Sequence, residues 1–363
     1  MEILLLLFVW LYVLLQLLVL AGYASDRPKA LRLLAAQPVA ILIPARNEAE
    51  NMAKCLQAIG QLNYPKDLLE VWVGNDGSED QTATIVEDFS TRFPYIHLYQ
   101  VQGNLGSARA KGNVLAQLMQ QSKAEFVFVT DADIEVAPDW INALLPHLLE
   151  KNSGIVSGTT LVDGLSYFEK WQGLEWSLGN GYLIGLNQLG MKSTAVGNNM
   201  CFTRSAYLAT GGYENMPFSV TEDFQLFSAI RKKGYASLNL IEANSLNISA
   251  AQKKLMALLH QRKRWMIGAQ DLPWYWLFVF GLQAMFYPCL LTLCFINMEL
   301  ALGIWLVKIA LQSLYLLLIH LRLKRRIHWP SFLLFEPYTF LVQLLMMVFY
   351  LLPVKMDWKN RQY

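Results

Sequence analysis

Acidic residues follow short apolar runs in this 363-residue chain, in a pattern suited to holding a cation and a diphosphate. Asp131-Ala132-Asp133 comes directly after the apolar run 126–130, and Asp76 follows another such run. Alternate residues of an extended chain project to one side, so Asp131 and Asp133 are expected to face one cleft. Two close carboxylates repel each other unless a proton or cation intervenes, and their oxygens suit Mn²⁺ or Mg²⁺. The alternative is a pair that only caps a turn.

Two further polar segments contain a candidate base and candidate cationic ligands. Thr221-Glu222-Asp223 precedes a helical stretch, where Asp223 could take a proton from an acceptor hydroxyl or the segment could simply cap the helix. Gln261-Arg262-Lys263-Arg264-Trp265 ends an amphipathic stretch. Arg264 could hold a diphosphate and Trp265 could stack on an acceptor ring. The alternative is a basic helix that only anchors the chain at a membrane surface.

The elements that would position these residues are predicted from an alternation of β-branched runs and amphipathic stretches between 37 and 250. Strands are predicted at 39–43, 71–73, 96–99 and 126–130, and helices at 48–59, 81–89 and 111–121. This order predicts a doubly wound, mostly parallel α/β sheet. Ligands of such sheets bind beyond the carboxyl ends of the strands, where the polar segments lie. The first strand is expected to end at Pro44, and no GxGxxG follows it, which disfavours a dinucleotide fold.

Hydrophobic residues concentrate at the two ends of the chain. Residues 3–23 contain one polar residue, Gln16, and are long enough to cross a bilayer. No basic residue precedes this run, whereas Arg27, Lys29 and Arg32 follow it. This asymmetry predicts an uncleaved anchor at 1–24 rather than a signal peptide, with its N-terminus outside and the main domain in the cytoplasm.

A C-terminal membrane domain is predicted at 275–353, after an amphipathic interfacial helix at 251–272. Its transmembrane α-helices are expected at about 276–296, 300–321 and 332–352. The link 297–299 should lie outside and the basic link 322–326 inside. A last crossing would leave Lys355, Lys359 and Arg361 outside, against the charge rule, and Glu336-Pro337 could instead begin a re-entrant helix. The chain is thus expected to be a multi-pass protein, with a cell inner membrane favoured.

Composition excludes several other classes of protein. Hydrophobic residues make up 54% and charged residues 16%, with a net charge of +2, which disfavours a disordered chain or a nucleic-acid partner. Four scattered cysteines do not form a disulfide framework. Without a CxxC pair or a ligand spacing among the five histidines, zinc is not expected.

The order and rough spacing of five segments resemble membrane-bound family 2 glycosyltransferases with a GT-A fold. These segments are Pro44-Ala45-Arg46-Asn47-Glu48, Asn75-Asp76-Gly77-Ser78, Asp131-x-Asp133, Thr221-Glu222-Asp223 and Gln261-x-x-Arg264-Trp265. The membrane layout is similar to that of ceramide glucosyltransferases, and cellulose, hyaluronan and poly-N-acetylglucosamine synthases share the motifs. The chain departs from the pattern at Asn75, where the family often has Asp, and at Gly112-Asn113-Val114-Leu115, which loosely follows a K-x-x-A-L element.

The resemblance implies a role for individual residues. The donor would be bound by Ala45, Arg46, Glu48, Asp76, Lys111, Asp131, Gln261 and Arg264. Asp133 would bind Mn²⁺ or Mg²⁺ directly, and Asp223 would be the base of an inverting displacement. Trp265 and Glu222 would contact the acceptor.

The leading hypothesis is a metal-dependent, inverting glycosyltransferase that moves a sugar from a nucleotide sugar, with a UDP-sugar favoured, to a membrane lipid hydroxyl. One alternative is a processive polysaccharide synthase. Another, from a different class, is a non-catalytic subunit that binds sugar nucleotides. The donor sugar, the acceptor and the oligomeric state stay open.

Overall fold

The computed structural model describes residues 2–191, 194–352, 357–358 and 361–362. It contains two compact units, which we call the sheet unit (residues 28–161 and 194–250) and the helical unit (residues 1–27, 162–193 and 251–363). Lys355 and Lys359, on which the charge argument for the last crossing depends, lie outside the described residues, as does position 353.

Within the described residues, the strands form a main sheet of seven strands and two small sheets. In chain order they are β1 (Val39–Ala45), β2 (Leu69–Asn75), β3 (Ile96–Gln100), β4 (Phe126–Thr130), β5 (Ile134–Glu135), β6 (Ser153–Ser157), β7 (Thr159–Asp163), β8 (Asn199–Thr203), β9 (Ala236–Asn239), β10 (Leu246–Ala250), β11 (Asp357–Trp358) and β12 (Arg361–Gln362). The main sheet has the order β3-β2-β1-β4-β8-β6-β9, and β8 runs antiparallel to both of its neighbours. Its other pairs are parallel, which confirms the predicted mostly parallel sheet.

The helices are distributed between the two units. In chain order they are α1 (Glu2–Ser25), α2 (Met52–Gly60), α3 (Thr82–Arg92), α4 (Ala110–Gln121), α5 (Trp140–Leu148), α6 (Tyr167–Gln188), α7 (Arg204–Thr210), α8 (Glu222–Lys232), α9 (Leu255–Gly268), α10 (Trp274–Ile296), α11 (Met298–Arg322), α12 (Trp329–Leu333) and α13 (Phe335–Leu351). The helical unit contains α1, α6 and α9 to α13, and the sheet unit contains the rest.

The strand β1 lies at the centre of the sheet unit and explains its topology. Residues 39–43 are fully buried because both faces of the strand are covered, so the sequence shows a continuous apolar run instead of alternation. The prediction that this strand ends at Pro44 was wrong. Pro44 pairs with Gly74 of β2, but pairing with β4 stops at Leu42, so the missing N–H of the proline is tolerated.

The order of the main sheet reverses between β1 and β4. From β1 the chain winds outwards to β2 and β3 and then returns to place β4 on the other side of β1. A crevice forms at such a switch point, beyond the carboxyl ends of the two strands. Arg46 and Asp131-Ala132-Asp133 follow these two strand ends.

The helical unit contains three helices long and apolar enough to be candidate membrane spans, among the residues that the structure describes. They are α1 from Ile3, α10 and α11. The fourth predicted segment is divided at Leu334 into α12 and α13, and α13 has 17 residues, or about 25 Å of helix. This length is short of the roughly 30 Å hydrocarbon core of a bilayer.

Helix α6 falls within the stretch 37–250 but groups with the helical unit, where it packs along α1. Gly22 of α1 and Gly185 of α6 make this packing close, because a methyl group on either would lie within 2.4 Å of backbone oxygen on the other helix. The domain boundaries expected at 1–24, 37–250, 251–272 and 275–353 stay predictions.

Candidate functional site

The loops that follow β1 and β2 are bound to each other. Nη1 of Arg46 donates to the carbonyl oxygen of Asp76 at 2.5 Å, and the backbone N–H of Asp76 donates to the carbonyl oxygen of Ala45 at 2.9 Å. Three predicted donor-binding residues are therefore adjacent at the carboxyl edge of the sheet.

The turn from Arg46 to Met52 replaces the first part of the helix predicted at 48–59. Asn47 has a left-handed φ of 51°, and the backbone N–H of Glu48 donates to Oγ1 of Thr82 at 2.8 Å. The N–H groups that a helix would leave unpaired in its first turn are thus bound by the neighbouring loop, and the helix begins at Met52. Glu48 is buried beside this turn.

Asn75 shows why an amide is suited to the position where the family often has Asp. Its Oδ1 accepts a hydrogen bond from the N–H of Ser78 at 3.1 Å, and its Nδ2 donates to Oε1 of Gln100 at 2.7 Å. An aspartate could accept the first bond but could not donate the second. Asn75 therefore shapes the loop that places Asp76.

Asp131 and Asp133 flank Ala132 at the end of β4. Ala132 is buried whereas both aspartates are partly exposed, so the pair faces away from the core; that both carboxylates face one cleft stays a prediction. The backbone is a turn rather than the extended chain that the prediction assumed, because the N–H of Ile134 donates to the carbonyl oxygen of Asp131 at 3.2 Å. Burial raises the pKa of the Cys55 thiol, and the carboxylates of Asp133 and Asp131 raise it further.

Lys111 at the start of α4 joins two of the predicted acidic segments. Its Nζ lies 2.7 Å from Oδ1 of Asp131 and 2.9 Å from Oε1 of Glu222. Burial works against the charged form of this lysine, but the two carboxylates outweigh burial and raise its pKa. A protonated Lys111 therefore partly neutralises the acidic cluster.

Asp223 lies next to this group, in the first turn of α8. Its Oδ2 accepts from the N–H of Gly197 at 3.1 Å and its Oδ1 accepts from the N–H of Phe224 at 2.8 Å. Burial and the neighbouring Glu222 carboxylate raise its pKa to about 6, although Lys111 acts in the opposite direction. A carboxyl group with this pKa can exchange protons near neutral pH, as a general base requires.

Gly197 is a partner of Asp223 whose role sequence reasoning missed. A Cβ at this position would lie 2.4 Å from Oδ2 of Asp223, so a side chain would displace the carboxylate. In the sequence, Gly197-Asn198-Asn199-Met200 is turn material that is predicted to line the acceptor side of the site, and a turn signal does not identify the partner of its backbone.

Helix α9 presents the predicted residues Gln261, Arg264 and Trp265 on one face, because their spacing is i, i+3 and i+4. The two residues between them are buried and paired within the helical unit. Arg262 lies 3.0 Å from Oε1 of Glu175, and Nζ of Lys263 donates to the carbonyl oxygen of Leu352 at 2.7 Å. Arg262 and Lys263 thus hold the helix, and the other three side chains stay partly exposed.

The ring of Trp265 is enclosed by two neighbours. The indole of Trp176 packs edge-on at 5.3 Å between ring centroids, and the guanidinium of Arg262 lies 4.2 Å from the centroid of Trp265. These contacts fix the orientation of the ring that was predicted to meet the acceptor.

The amino-acid sequence resembles those of known enzymes. The family model of glycosyl transferase family 21 matches residues 1–363. Beta-monoglucosyldiacylglycerol synthase of Synechocystis is 25% identical over 236 residues, which are 63% of this chain and 47% of that protein. Poly-beta-1,6-N-acetyl-D-glucosamine synthase of Staphylococcus epidermidis is 26% identical over 237 residues, 64% of this chain and 55% of that protein. The chain spans about half the length of these curated relatives.

A solved structure shares the fold. The mannosyltransferase of Pyrobaculum calidifontis, in complex with GDP-Man and Mn²⁺, superposes with a TM-score of 0.59 at 18% identity and covers 96% of this chain and 95% of its own. The predicted glycosyltransferase class and GT-A-like fold are confirmed, with a family model numbered 21 where the motifs resembled family 2.

Proposed function

Because the chain belongs to glycosyl transferase family 21, we propose that it transfers a sugar from a nucleotide sugar, with a UDP-sugar favoured, to the hydroxyl group of a membrane lipid. The observation that carries this proposal is the group formed by Lys111, Asp131, Glu222 and Asp223 beside the switch point of the sheet. It combines a cation, carboxylates suited to a metal and a candidate base in one place.

Asp223 is the proposed base. The acceptor hydroxyl oxygen attacks the anomeric carbon of the sugar while the bond from that carbon to the diphosphate breaks, and Asp223 takes the hydroxyl proton. One displacement of this kind inverts the anomeric configuration and needs no covalent enzyme intermediate. Gly197 supports the role, since its N–H holds Oδ2 of Asp223 in position.

The acidic pair at the end of β4 fits a hard divalent cation. Carboxylate oxygens are the preferred ligands of Mg²⁺ and suit Mn²⁺, and both side chains are partly exposed. No group of three or more His, Cys, Asp or Glu able to hold a metal occurs among the described residues. Asp133, with Asp131 beside it, would therefore hold the ion together with donor phosphate oxygens. The bound ion would stabilise negative charge on the leaving diphosphate.

The donor nucleotide is assigned to the connected loops after β1 and β2. Ala45, Arg46, Glu48 and Asp76 would border it, and the bonds between Arg46, Asp76 and Ala45 support a preformed loop pair. Gln261 and Arg264 are proposed as further donor ligands, and Trp265 and Glu222 as acceptor contacts.

A lipid acceptor is favoured by the candidate spans of the helical unit and by the name of the Synechocystis relative, a glucosyldiacylglycerol synthase. The second candidate function is synthesis of a polysaccharide, favoured by the relative from Staphylococcus epidermidis. Product length separates the two, since repeated addition gives a ladder of products and single transfer gives one glycolipid.

The test is sugar transfer by protein purified in detergent, with labelled UDP-sugars, membrane lipids and Mn²⁺ or Mg²⁺. We expect one labelled lipid and release of UDP that depends on both metal and lipid. Asp133→Ala should abolish the activity, whereas Asp67→Ala, at an exposed carboxylate remote from the site, should keep it. Full activity of Asp133→Ala without added metal would contradict the metal role, and a ladder of products would favour the polysaccharide.

A further inference from the structure

Tyr213 carries a buried hydroxyl group that lacks a hydrogen-bond partner among the described residues. The side chain is 2% exposed, and the hydroxyl oxygen is closed off from solvent. Buried hydroxyl groups are nearly always paired, because leaving one unpaired destabilises the folded state. An unpaired buried hydroxyl in the folded state therefore indicates that the hydroxyl group has a function.

The backbone around Tyr213 is firmly held, so the unpaired hydroxyl does not reflect a loose segment. The N–H of Tyr213 donates to the hydroxyl oxygen of Tyr207 at 3.0 Å, and the Tyr207 hydroxyl donates to Glu214 at 2.9 Å. The carbonyl oxygen of Glu214 accepts from the N–H of Ser107 at 2.8 Å, which joins this turn to the loop before α4.

The Tyr213 ring lies beside the acidic cluster of the site. A methyl group placed on Gly112, the neighbour of Lys111, would lie 3.8 Å from Cδ1 of Tyr213 and 3.9 Å from Cβ of Glu222. The ring and Glu222 therefore flank the same position on α4. Burial raises the pKa of Tyr213, and the carboxylates of Glu222 and Asp223 raise it further, so its hydroxyl stays a donor.

We propose that Tyr213 is a positioning residue, whose hydroxyl donates a hydrogen bond to the carboxylate of Glu222 when the donor substrate is bound. This inference rests on the proposed function. Lys111 now shares its ammonium group between Asp131 and Glu222, and a bound diphosphate adds a third anion to its partners. Tyr213 then supplies the hydrogen bond that Glu222 loses, which holds the first turn of α8, and with it the neighbouring Asp223, in place.

The test is Tyr213→Phe, which removes the hydroxyl group and leaves the ring. Because the hydroxyl has no hydrogen-bond partner among the described residues, we expect the melting temperature to stay the same or rise. We expect kcat to fall by roughly tenfold or more, since a hydrogen bond to a charged group is lost during turnover, with the donor KM changed less than about twofold.

Tyr64→Phe is the matched control. The Tyr64 hydroxyl is also buried, but it donates to the carbonyl oxygen of Gln37 at 2.6 Å, remote from the acidic cluster. This variant should melt a few degrees lower and keep the wild-type kcat.

Either of two results for Tyr213→Phe overturns the inference: a wild-type kcat, or a melting temperature as low as that of the Tyr64 variant. If the wild-type protein transfers no sugar from any nucleotide sugar, the proposed function fails. The melting temperatures then still decide whether the Tyr213 hydroxyl is unpaired, and a lowered value for Tyr213→Phe overturns the inference on its own.

Discussion

Lys111 offsets only part of the negative charge of the site. One ammonium group faces Asp131, Glu222 and Asp223, and three carboxylates against one cation leave the cluster acidic. This excess of negative charge, together with burial, is why Asp223 holds its proton to a higher pH than an exposed aspartate.

Activity should depend on pH through Asp223. The ionised carboxylate is the form that accepts a proton, and its pKa is raised to about 6. Transfer should therefore decline as pH falls through about 6 and level off above about 7, in a profile of kcat measured with saturating donor and metal. A rate that rises towards acidic pH would contradict the assignment.

Asp223→Asn should lower kcat by about 10²–10⁴-fold, the usual contribution of a general base, while binding of the nucleotide is retained. Asp88→Asn, which changes an exposed carboxylate paired with Arg92 on α3, should leave kcat unaltered. Comparable rates for Asp223→Asn and the wild type would show that Asp223 is not the general base.

Glycine residues on helix α6 allow it to pack closely against its neighbours. Gly181 and Gly185 are one turn apart on α6, and a methyl group on Gly185 would lie 2.3 Å from the carbonyl oxygen of Val19 on α1. The two helices therefore approach closely at this point, and any side chain there would force them apart.

Gly185→Ala should destabilise the protein by about 1–3 kcal/mol, because the added methyl group meets backbone that cannot move away. Gly179→Ala is the control on the same helix, where nothing lies within 4 Å, and it should be neutral or stabilising by up to about 1 kcal/mol through helix propensity. Thermal unfolding in detergent measures both. Equal melting temperatures for the two variants would show that α1 and α6 do not pack as described.

A buried ion pair joins α11 and α13. Lys308 and Glu336 form a salt bridge with both side chains 7% exposed. Glu336 also accepts hydrogen bonds from Tyr287 of α10 and Trp305 of α11, each at 2.8 Å. One carboxylate thus connects three helices of an apolar unit, where each unpaired charge is costly.

Lys308→Met should lower stability by about 3–5 kcal/mol, because Glu336 would remain buried without its counter-charge. The double variant Lys308→Met, Glu336→Gln should recover a large part of this loss, since no buried charge is left. Unfolding of the single and double variants in one detergent provides the comparison. A double variant less stable than Lys308→Met alone would refute the charge argument.

In the helical unit, a salt bridge joins the ends of two candidate spans. Asp26, directly after α1, pairs with Arg322 at the end of α11 at 2.5 Å, and Arg325 pairs with Asp163. The carboxyl ends of α1 and α11 therefore lie side by side. The same ends carry the basic residues that predict the cytoplasmic side, so the pairing agrees with the charge rule.

Reporter fusions test this topology. A reporter active only in the cytoplasm should be active when fused after residue 325 and inactive when fused after residue 297, the single-residue link between α10 and α11. The reverse pattern would place the sheet unit on the other side of the membrane.

Much of the architecture was determined by local sequence. The apolar runs, the alternation of strands and helices that predicts a mostly parallel sheet, and the acidic segments at strand ends follow from hydrophobic periodicity and residue type over a few positions. Those signals predicted β4 at 126–130 without error and α4 at 111–121 within one residue. The prediction of a glycosyltransferase came from the resemblance of five polar segments to a known family.

Only the tertiary structure decided which side chains share a contact. Arg262 and Glu175 are 87 positions apart, and no local pattern distinguishes the buried Arg262 from the partly exposed Arg264 two residues later. The same holds for Lys111 between Asp131 and Glu222, and for Tyr213 beside Gly112. The partner of a polar group is set by the packing of distant segments, because burial and pairing are properties of the assembled surface and not of the residue itself.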